Sequence, residues 1–502
     1  MEDGPAIARV GRTADIATLN PVMLTELNSA AVVTQLYDHL LELDADFNYV
    51  PRGLVKSWSI SPDGDIVDFE LREGVRFHDD SELTAEDVTF TFRAALGPGN
   101  PRLIAACQDA GFEAASRYKL RIWLPSASAS CLASLVCLPL LPKHVYDGGH
   151  IADRPVADRP VGGGAFRFGE WRKGEYVSIL AFEDYHSGRP GLDCVEFTVF
   201  DSAEAAAEAL LSGDIDYVPD AGAGIARSLD GCRGVDVRWS DAATVMYLAF
   251  NLDAPPVRDL RVRRAIAHAI DRQGLVHEVA GGAAVIADTL VPPRTFWRNE
   301  ELIAHDYNVA QASALLDAAG WRVTDSSGMR RNSARLPMEL PILAIAGDQA
   351  KERAAWFIAA DLRRVGIDAA VRTFEAGALL EQHIYPRDYK AAVLASDPGR
   401  DPAFLTTFYH SAMLAPAGGN WCAYRNPLVD QLLEDSLSLT RDRFQRKEML
   451  DEVQRIVAAD LPHVTLYNPR LANLSSARLR LPADALSHGD DLTVLRRWKL
   501  AD

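Results

Sequence analysis

Three observations predict an α/β fold in at least two lobes. Amphipathic helical segments alternate with short apolar runs. Several of those helices stop at a glycine and pass straight into a strand, the connection used in parallel sheets. The chain has 502 residues, beyond the roughly 250 to 300 at which a single core stops growing. At 48% hydrophobic and 24% charged residues, the composition is that of a packed globular chain and excludes long disorder, collagen-like repeats and coiled coil.

The elements follow in order. Ile66–Leu71 alternates as a strand, and Glu73-Gly74 turns the chain. Asp63-Gly64 before it is a hairpin turn by chemistry. Thr84, with Asp87 three residues on, comes close to a capping box and opens a helix carrying Val88, Phe92, Ala95 and Leu96 on one face, with Gly97-Pro98 as its stop. Residues 154–164, with Pro160 and Gly162-Gly163-Gly164, read as a loop or subdomain joint. Residues 203–211 read as a helix ended by Gly213, leading into a strand over 215–218. Asp259 caps a helix with Val262, Ala265, Ile266, Ala269 and Ile270 inward, and Asn308 caps another that runs to Ala319 and stops at Gly320. Residues 320–337 are polar and read as a surface hairpin. Asp348 opens a helix to Val365, followed by Gly366 and a strand over 367–373.

Charge and motifs then remove function classes. With 52 Lys+Arg against 70 Asp+Glu the net charge is −18, which repels phosphate backbones, and no basic run offsets it, so nucleic acid is not the partner. The longest apolar stretch, residues 131–141, is too short for a membrane span and contains Pro139. Met1-Glu2-Asp3-Gly4 lacks the basic and apolar regions of a signal peptide, which fits either a cytosolic chain or one whose signal was replaced by a start methionine. The six cysteines form no CxxC pair, and one bridge, Cys131–Cys137 or Cys194–Cys232, is compatible with an oxidising space. There is no GxSxG, phosphate loop or HExxH. Gly162-Gly163-Gly164 and Gly222-Ala223-Gly224 fail the dinucleotide pattern, since Arg167 and Arg227 stand where its third glycine would be. The twelve histidines make no metal clamp, and His268 reads as core or surface. A chain of this size without such signals reads as a binder, with no catalytic residue, metal or cofactor expected.

Specific stretches then resemble a known family. Trp58, Asp63-Gly64, the run Phe69-Glu-Leu-Arg-Glu-Gly-Val-Arg-Phe-His-Asp79 and Leu83-Thr-Ala-Glu-Asp-Val88 are similar, in that order, to the signature of the extracytoplasmic solute-binding proteins of family 5, which serve peptide and nickel ABC transporters. The likeness continues through Leu211-Ser-Gly-Asp-Ile-Asp216, Tyr247-Leu-Ala-Phe-Asn251, residues 256–272 with Arg261, Arg263, Asp271 and Arg272, residues 307–321, Arg400-Asp401-Pro402, Asn420-Trp421, Tyr424-Arg425-Asn426-Pro427 and residues 429–433. It implies a two-lobed periplasmic-binding-protein fold of the large class, its lobes joined by two crossing strands near 246–251 and 463–468. Lobe one would comprise 1–250 with 467–502, including an inserted subdomain at about 45–165; lobe two would be 251–466.

The resemblance also implies a role: the substrate-binding component of an ABC importer, closing on a small solute in an interlobe cleft and delivering it to permease subunits. The protein would be a periplasmic or surface-anchored monomer that carries out no turnover. A peptide or amino-acid conjugate such as an opine is the leading ligand, and a nickel or other metal chelate the alternative. Asp397 or Asp401 would pair with a ligand ammonium, although the four-residue spacing to Asp401-Pro402 departs from the family's three. Arg400 would clamp a carboxylate. Trp421 with Asn420 and Tyr424 would line the cleft, as would Leu19 and Asn20 of the Thr18-Leu19-Asn20-Pro21 loop. Tyr247, Trp123 and Arg167 are further candidates from lobe one, and His410 is the histidine suited to a metal chelate. A remote alternative is a cleft hydrolase built on Asp397 and Asp401; a sensory protein that has lost transport is another.

Overall fold

The computed structural model describes residues 4–22, 24, 27–43, 49–50, 53–96, 107, 109–124, 129–148, 160–302, 305–323, 326–397, 402–416, 418–438, 442–482 and 491–501. The chain forms two compact units. One comprises Met1–Ser240, Ser438–Thr440 and Leu471–Asp502, the other Asp241–Leu437 and Arg441–Arg470.

In the first unit, Ile7–Arg12 runs parallel to both Cys194–Val199 and Tyr217–Val218, and Cys194–Val199 continues antiparallel to Tyr176–Ala181 and Phe166–Arg172. Val10, Leu36, Phe166, Val195 and Trp498 pack its core. The expected strand over 215–218 shortens to Tyr217–Val218, because the amides of Asp214 and Ile215 turn back to cap the Ala209 carbonyl at the end of helix Ala203–Ser212.

A separate four-stranded antiparallel sheet, ordered Val55–Ile60, Ile66–Leu71, Lys119–Trp123, Gly111–Ser116, has its own core of Phe69, Phe77, Val88, Phe92, Leu120 and Ile122. Helix Ala85–Ala95 covers it, and the Thr84/Asp87 capping box forms. Glycines 162 and 164 run back beside this subdomain, where close approach explains the residue type. A Cβ on Gly162 would meet the Leu36 carbonyl oxygen at 2.0 Å, and one on Gly164 the Gln35 carbonyl oxygen at 2.3 Å. His78 fastens the same strip, its Nε2 on the Gly164 carbonyl at 3.0 Å while Nδ1 accepts from the Gly162 amide at 3.3 Å. Burial lowers its pKa to about 4, which keeps this one-donor, one-acceptor tautomer neutral.

The disulfide differs from both pairings expected: Cys107 bonds to Cys131 inside the subdomain core. Cys131 sits on helix Ala129–Val136, and Cys137, just past the end of that helix, remains a thiol. Cys194 lies within a sheet strand, and it and Cys232 remain thiols.

In the second unit, Val371–Phe374 and Ala391–Ser396 flank Ile342–Ile345 in parallel, and Val245–Phe250 pairs antiparallel with Ala391–Ser396 and with the first half of His463–Ser476. Helices Leu260–Ala269, Val309–Ala318 and Gln349–Arg364 bury Val262, Ile266, Leu316, Ile358 and Leu362 against this sheet. The division at Ser240/Asp241 precedes the expected boundary at 250, because Met246, Leu248 and Phe250 of strand Val245–Phe250 pack into this second core. Residues 320–337 do contain a hairpin, Arg322–Val323 with Arg330–Arg331. It is not wholly a surface feature, however. Arg330 is buried, its guanidinium donating to the Val365 and Trp321 carbonyls and pairing with Asp317.

The Cys107–Cys131 bridge closes a loop of 24 residues, so chain-entropy loss in the unfolded state stabilises the subdomain by on the order of 3 kcal/mol. Calorimetry of the reduced protein should show the subdomain melting several degrees lower, and Cys107→Ala should reproduce that shift without dithiothreitol.

Candidate functional site

Parallel strands present their carboxyl ends on one edge of the second unit's sheet, the place where open α/β sheets build ligand sites. Three acidic residues follow these strands. Asp348 caps helix Gln349–Arg364 after Ile342–Ile345, Glu375 caps Ala376–Leu379 after Val371–Phe374, and Asp397 directly follows Ala391–Ser396 and is exposed. Asp348 and Glu375 are engaged by their own helix amides.

Beside Asp397 the structure brings together two further candidates, Tyr247 and Trp421. The buried Tyr247 hydroxyl lies 2.8 Å from the Ser396 hydroxyl, and the Trp421 side chain is near enough to oppose the effect of burial on its titration. Burial raises the Tyr247 pKa, so the phenol stays protonated. Trp421 is half-buried and stacks on Tyr385, ring centroids 6.0 Å apart at 28°. Its carbonyl accepts from the Tyr389 hydroxyl at 2.8 Å. The arrangement is an aromatic wall beside an acidic strand end, suited to the apolar and cationic parts of one ligand. Tyr247 was expected in the first lobe; register with Ala391–Ser396 places it in the second unit.

Other candidates are absorbed by the scaffold. Asn420 is fully buried, donating to the His410 and Tyr424 carbonyls at 3.1 and 2.9 Å and accepting from the Tyr424 amide at 3.0 Å. Three of its four hydrogen-bonding positions thus close the loop that carries Trp421. Tyr424 is buried, and its hydroxyl donates to Asp460 at 2.7 Å. Neither presents a polar group to a ligand, contrary to expectation. His410 is likewise engaged at both nitrogens, Nδ1 accepting from the Ala412 amide and Nε2 meeting Glu434 at 3.0 Å. Among the described residues no group of three or more His, Cys, Asp and Glu is placed to hold a metal ion. Arg400 and Asp401 lie outside the described residues.

In the first unit Leu19 is core, and Thr18-Leu19-Asn20-Pro21 is a turn held by its own side chains: the Asn20 backbone amide donates to the Thr18 hydroxyl and the Val22 amide to the Asn20 side-chain Oδ1, each at 3.0 Å. Arg167 and Trp123 are exposed on strands Phe166–Arg172 and Lys119–Trp123.

Beneath Tyr247 and Tyr424 lies a layer that the sequence did not reveal. The Tyr409 hydroxyl sits 2.7 Å from His463 Nε2, and the His463 ring lies 5.7 Å from that of Tyr409 and 5.5 Å from that of Tyr247. Burial lowers the His463 pKa to about 3 and raises that of Tyr409, so a neutral phenol donates to a neutral imidazole. Nothing marks His463 as special in a one-dimensional reading, since its partners are 54 and 216 residues away (463 − 409 and 463 − 247). An adjoining cavity of about 40 Å³, lined by Arg272, Asp288, His305, Gln454 and His463 among others, is water-sized and far too small for a peptide.

Residues 49–414 match the family described as bacterial extracellular solute-binding proteins, family 5. The chain belongs to that family. Among family-5 relatives, the oligopeptide-binding protein AppA of Bacillus subtilis is 28% identical, the match covering 98% of this chain and 91% of the relative. The structure of AppA in complex with a nonapeptide aligns with a TM-score of 0.77 and 26% identity, covering 99% of this chain and all (100%) of that one. A further family-5 fold is shared with NikZ of Campylobacter jejuni, solved with Ni(L-His), at a TM-score of 0.79 and 22% identity over 99% of this chain and 100% of the other. These likenesses establish the two-lobed fold with two crossing strands that the motifs implied.

Two outcomes follow from the buried scaffold. Asn420→Ala should lower stability by about 2 kcal/mol, since it strands buried backbone groups, and a melting curve reads the loss directly. His463 is neutral in the folded chain, whereas an unfolded histidine titrates near 6.5. As pH falls below that value the unfolded state gains a proton that the folded state refuses. Its contribution is therefore intact above pH 6.5 and lost progressively toward pH 3, by about 2 kcal/mol between pH 7 and 5. Urea titrations at the two pH values should show that loss in the parent and a smaller one in His463→Gln.

Proposed function

We propose that the chain is the substrate-binding component of an ABC importer whose ligand is a peptide or a related amino-acid conjugate. The observation that carries this reading is the match to an oligopeptide-binding protein along 98% of the chain. The Asp397, Trp421 and Tyr247 constellation supports it. A carboxylate at the strand end suits a ligand ammonium, and the aromatic wall suits side chains held loosely, as peptide binders require when sequence is to be tolerated. The nickel reading loses its candidate, since both His410 nitrogens are engaged. Asp401 and Arg400 remain the proposed partners of the ligand termini, with Asp397 the alternative ammonium anchor.

On this reading the protein works outside the cytoplasm as a monomer, releases its ligand chemically unchanged and hands it to permease subunits. The Cys107–Cys131 bridge fits an oxidising compartment. Selection comes from differential affinity: a ligand shifts the open–closed equilibrium only by as much as it prefers the closed state.

A melting screen against di- to nonapeptides, opines and nickel–histidine tests the proposal. A ligand at 100 times its Kd adds about 2.7 kcal/mol, so a peptide-dependent rise in Tm is expected and a rise with nickel–histidine alone would overturn the peptide reading. With a binding peptide in hand, Trp421→Ala and Asp401→Ala should each weaken affinity by about 2 kcal/mol or more in titration calorimetry; if Asp401→Ala is neutral and Asp397→Asn is not, Asp397 is the anchor.

A further inference from the structure

The cavity beside Tyr409 and His463 lies within the second unit, its wall made by apolar residues such as Val457 and Val464 together with Arg272, Asp288 and His305. Two buried side-chain atoms of that wall have no hydrogen-bond partner among the described residues, His463 Nδ1 and Asp288 Oδ1. His463 is 7% exposed. Its Nε2 accepts from the Tyr409 hydroxyl at 2.7 Å, so the ring proton sits on Nδ1 and makes that atom a donor. Asp288 Oδ1 is an acceptor that Arg272 Nη1 approaches only to 3.5 Å, while Oδ2 meets Arg298 Nη2 at 3.3 Å.

Arg272 ends the family-typical stretch 256–272 and is buried. Its guanidinium builds the cavity wall, Nη1 donating to the Ala287 carbonyl at 3.1 Å and Nη2 to that of His305 at 2.9 Å. The His305 ring is held edge-on by His268, centroids 5.1 Å apart at 85°. Burial lowers the pKa of His305 to about 4 and that of His463 to about 3, so neither ring adds a charge.

This wall selects its occupant. A metal cation is repelled by Arg272 and finds no group of three His, Cys, Asp or Glu ligands among the described residues. An anion is repelled by Asp288. What fits is a neutral molecule that accepts from His463 Nδ1–H and donates to Asp288 Oδ1, and the space of about 40 Å³ suits water, about three molecules of it. Leaving a buried donor and a buried carboxylate oxygen dry costs more than ordering waters that bond to both.

We infer that the cavity is a structural-water site: a short chain of ordered waters accepts from His463 Nδ1–H at one end and donates to Asp288 Oδ1 at the other, and the carboxylate thereby sets the direction of the Tyr409–His463 hydrogen bond beneath Tyr247. The negative charge on Asp288 draws the water protons toward itself and turns their lone pairs to the imidazole. The ring then keeps its proton on Nδ1 and leaves Nε2 to accept from the phenol. Asp288 is a positioning residue here, and it acts in this way whether or not a peptide is the ligand.

High-resolution crystallography of the full-length protein tests the site directly. Ordered density roughly 2.7 to 3.2 Å from His463 Nδ1, continuing to within the same distance of Asp288 Oδ1, is expected. A cavity empty of density, or one that takes up xenon under pressure as dry apolar cavities do, overturns the inference. The direction of the hydrogen bond is read in solution from the nitrogen shifts of isotope-labelled histidine rings. The parent should show His463 as a single Nδ1–H tautomer, and Asp288→Asn, which keeps a side-chain oxygen, should retain it. Asp288→Leu, which removes the acceptor, should lose that single form and show Nε2–H as well. The parent tautomer persisting in Asp288→Leu overturns the role given to the carboxylate. An Nε2–H signal from His463 in the parent overturns the direction without any variant.

Discussion

Strand His463–Ser476 is the constraint on which the rest of the molecule depends. It is 14 residues long and mostly buried, so its backbone groups must find partners within the protein on both edges. Its first half takes Val245–Phe250 and Ala284–Ile286, and its last residues take Tyr217–Val218. One segment near the end of the chain thus completes sheets that begin more than 200 residues earlier. Leu461 before it adopts a left-handed conformation, φ 49°, which ends helix Arg443–Asp460 and turns the chain into the strand.

The same strand supplies the floor of the candidate site. His463 opens it, and the neutral Tyr409–His463 pair fills the space under Tyr247, while Tyr424 and Asp460 close the next position. His463 is paired at Nε2 while its buried Nδ1 has no hydrogen-bond partner among the described residues, and the Tyr409–His463 and Tyr424–Asp460 bonds hold the layer in one arrangement. Trp421 and Tyr247 are therefore presented from a stiff base, with Asn420 fixing the loop from below. Rigid presentation suits a receptor, which gains affinity by spending little on ordering its own side chains.

Family membership and the biochemical reading rest on different supports. Motifs such as the segment from Trp58 to Val88 lie in the subdomain and build its sheet, core and capping box. None of them is at the sheet edge that carries Asp397. The residues that decide what is bound belong to loops after strands, where substitution changes a ligand without costing the fold.

The sequence by itself determined those helices whose capping side chains are legible in a short window. Asp87, Asp259, Asn308 and Asp348 cap where local chemistry demands, because a capping side chain and its amides are at most three residues apart. It also carried the α/β class and the family. Only the tertiary structure decided which candidates face a ligand and which are scaffold. Asn420, Tyr424 and His410 are polar residues in a family-typical stretch, and no local pattern reveals that their partners are buried carbonyls, Asp460 and Glu434. The Cys107–Cys131 bridge, buried Arg330 and the Asp241–Arg470 pair are of the same kind. In each, the deciding neighbour is brought in by sheet register or helix packing across tens to hundreds of residues, and periodicity within a short window carries no trace of such a partner.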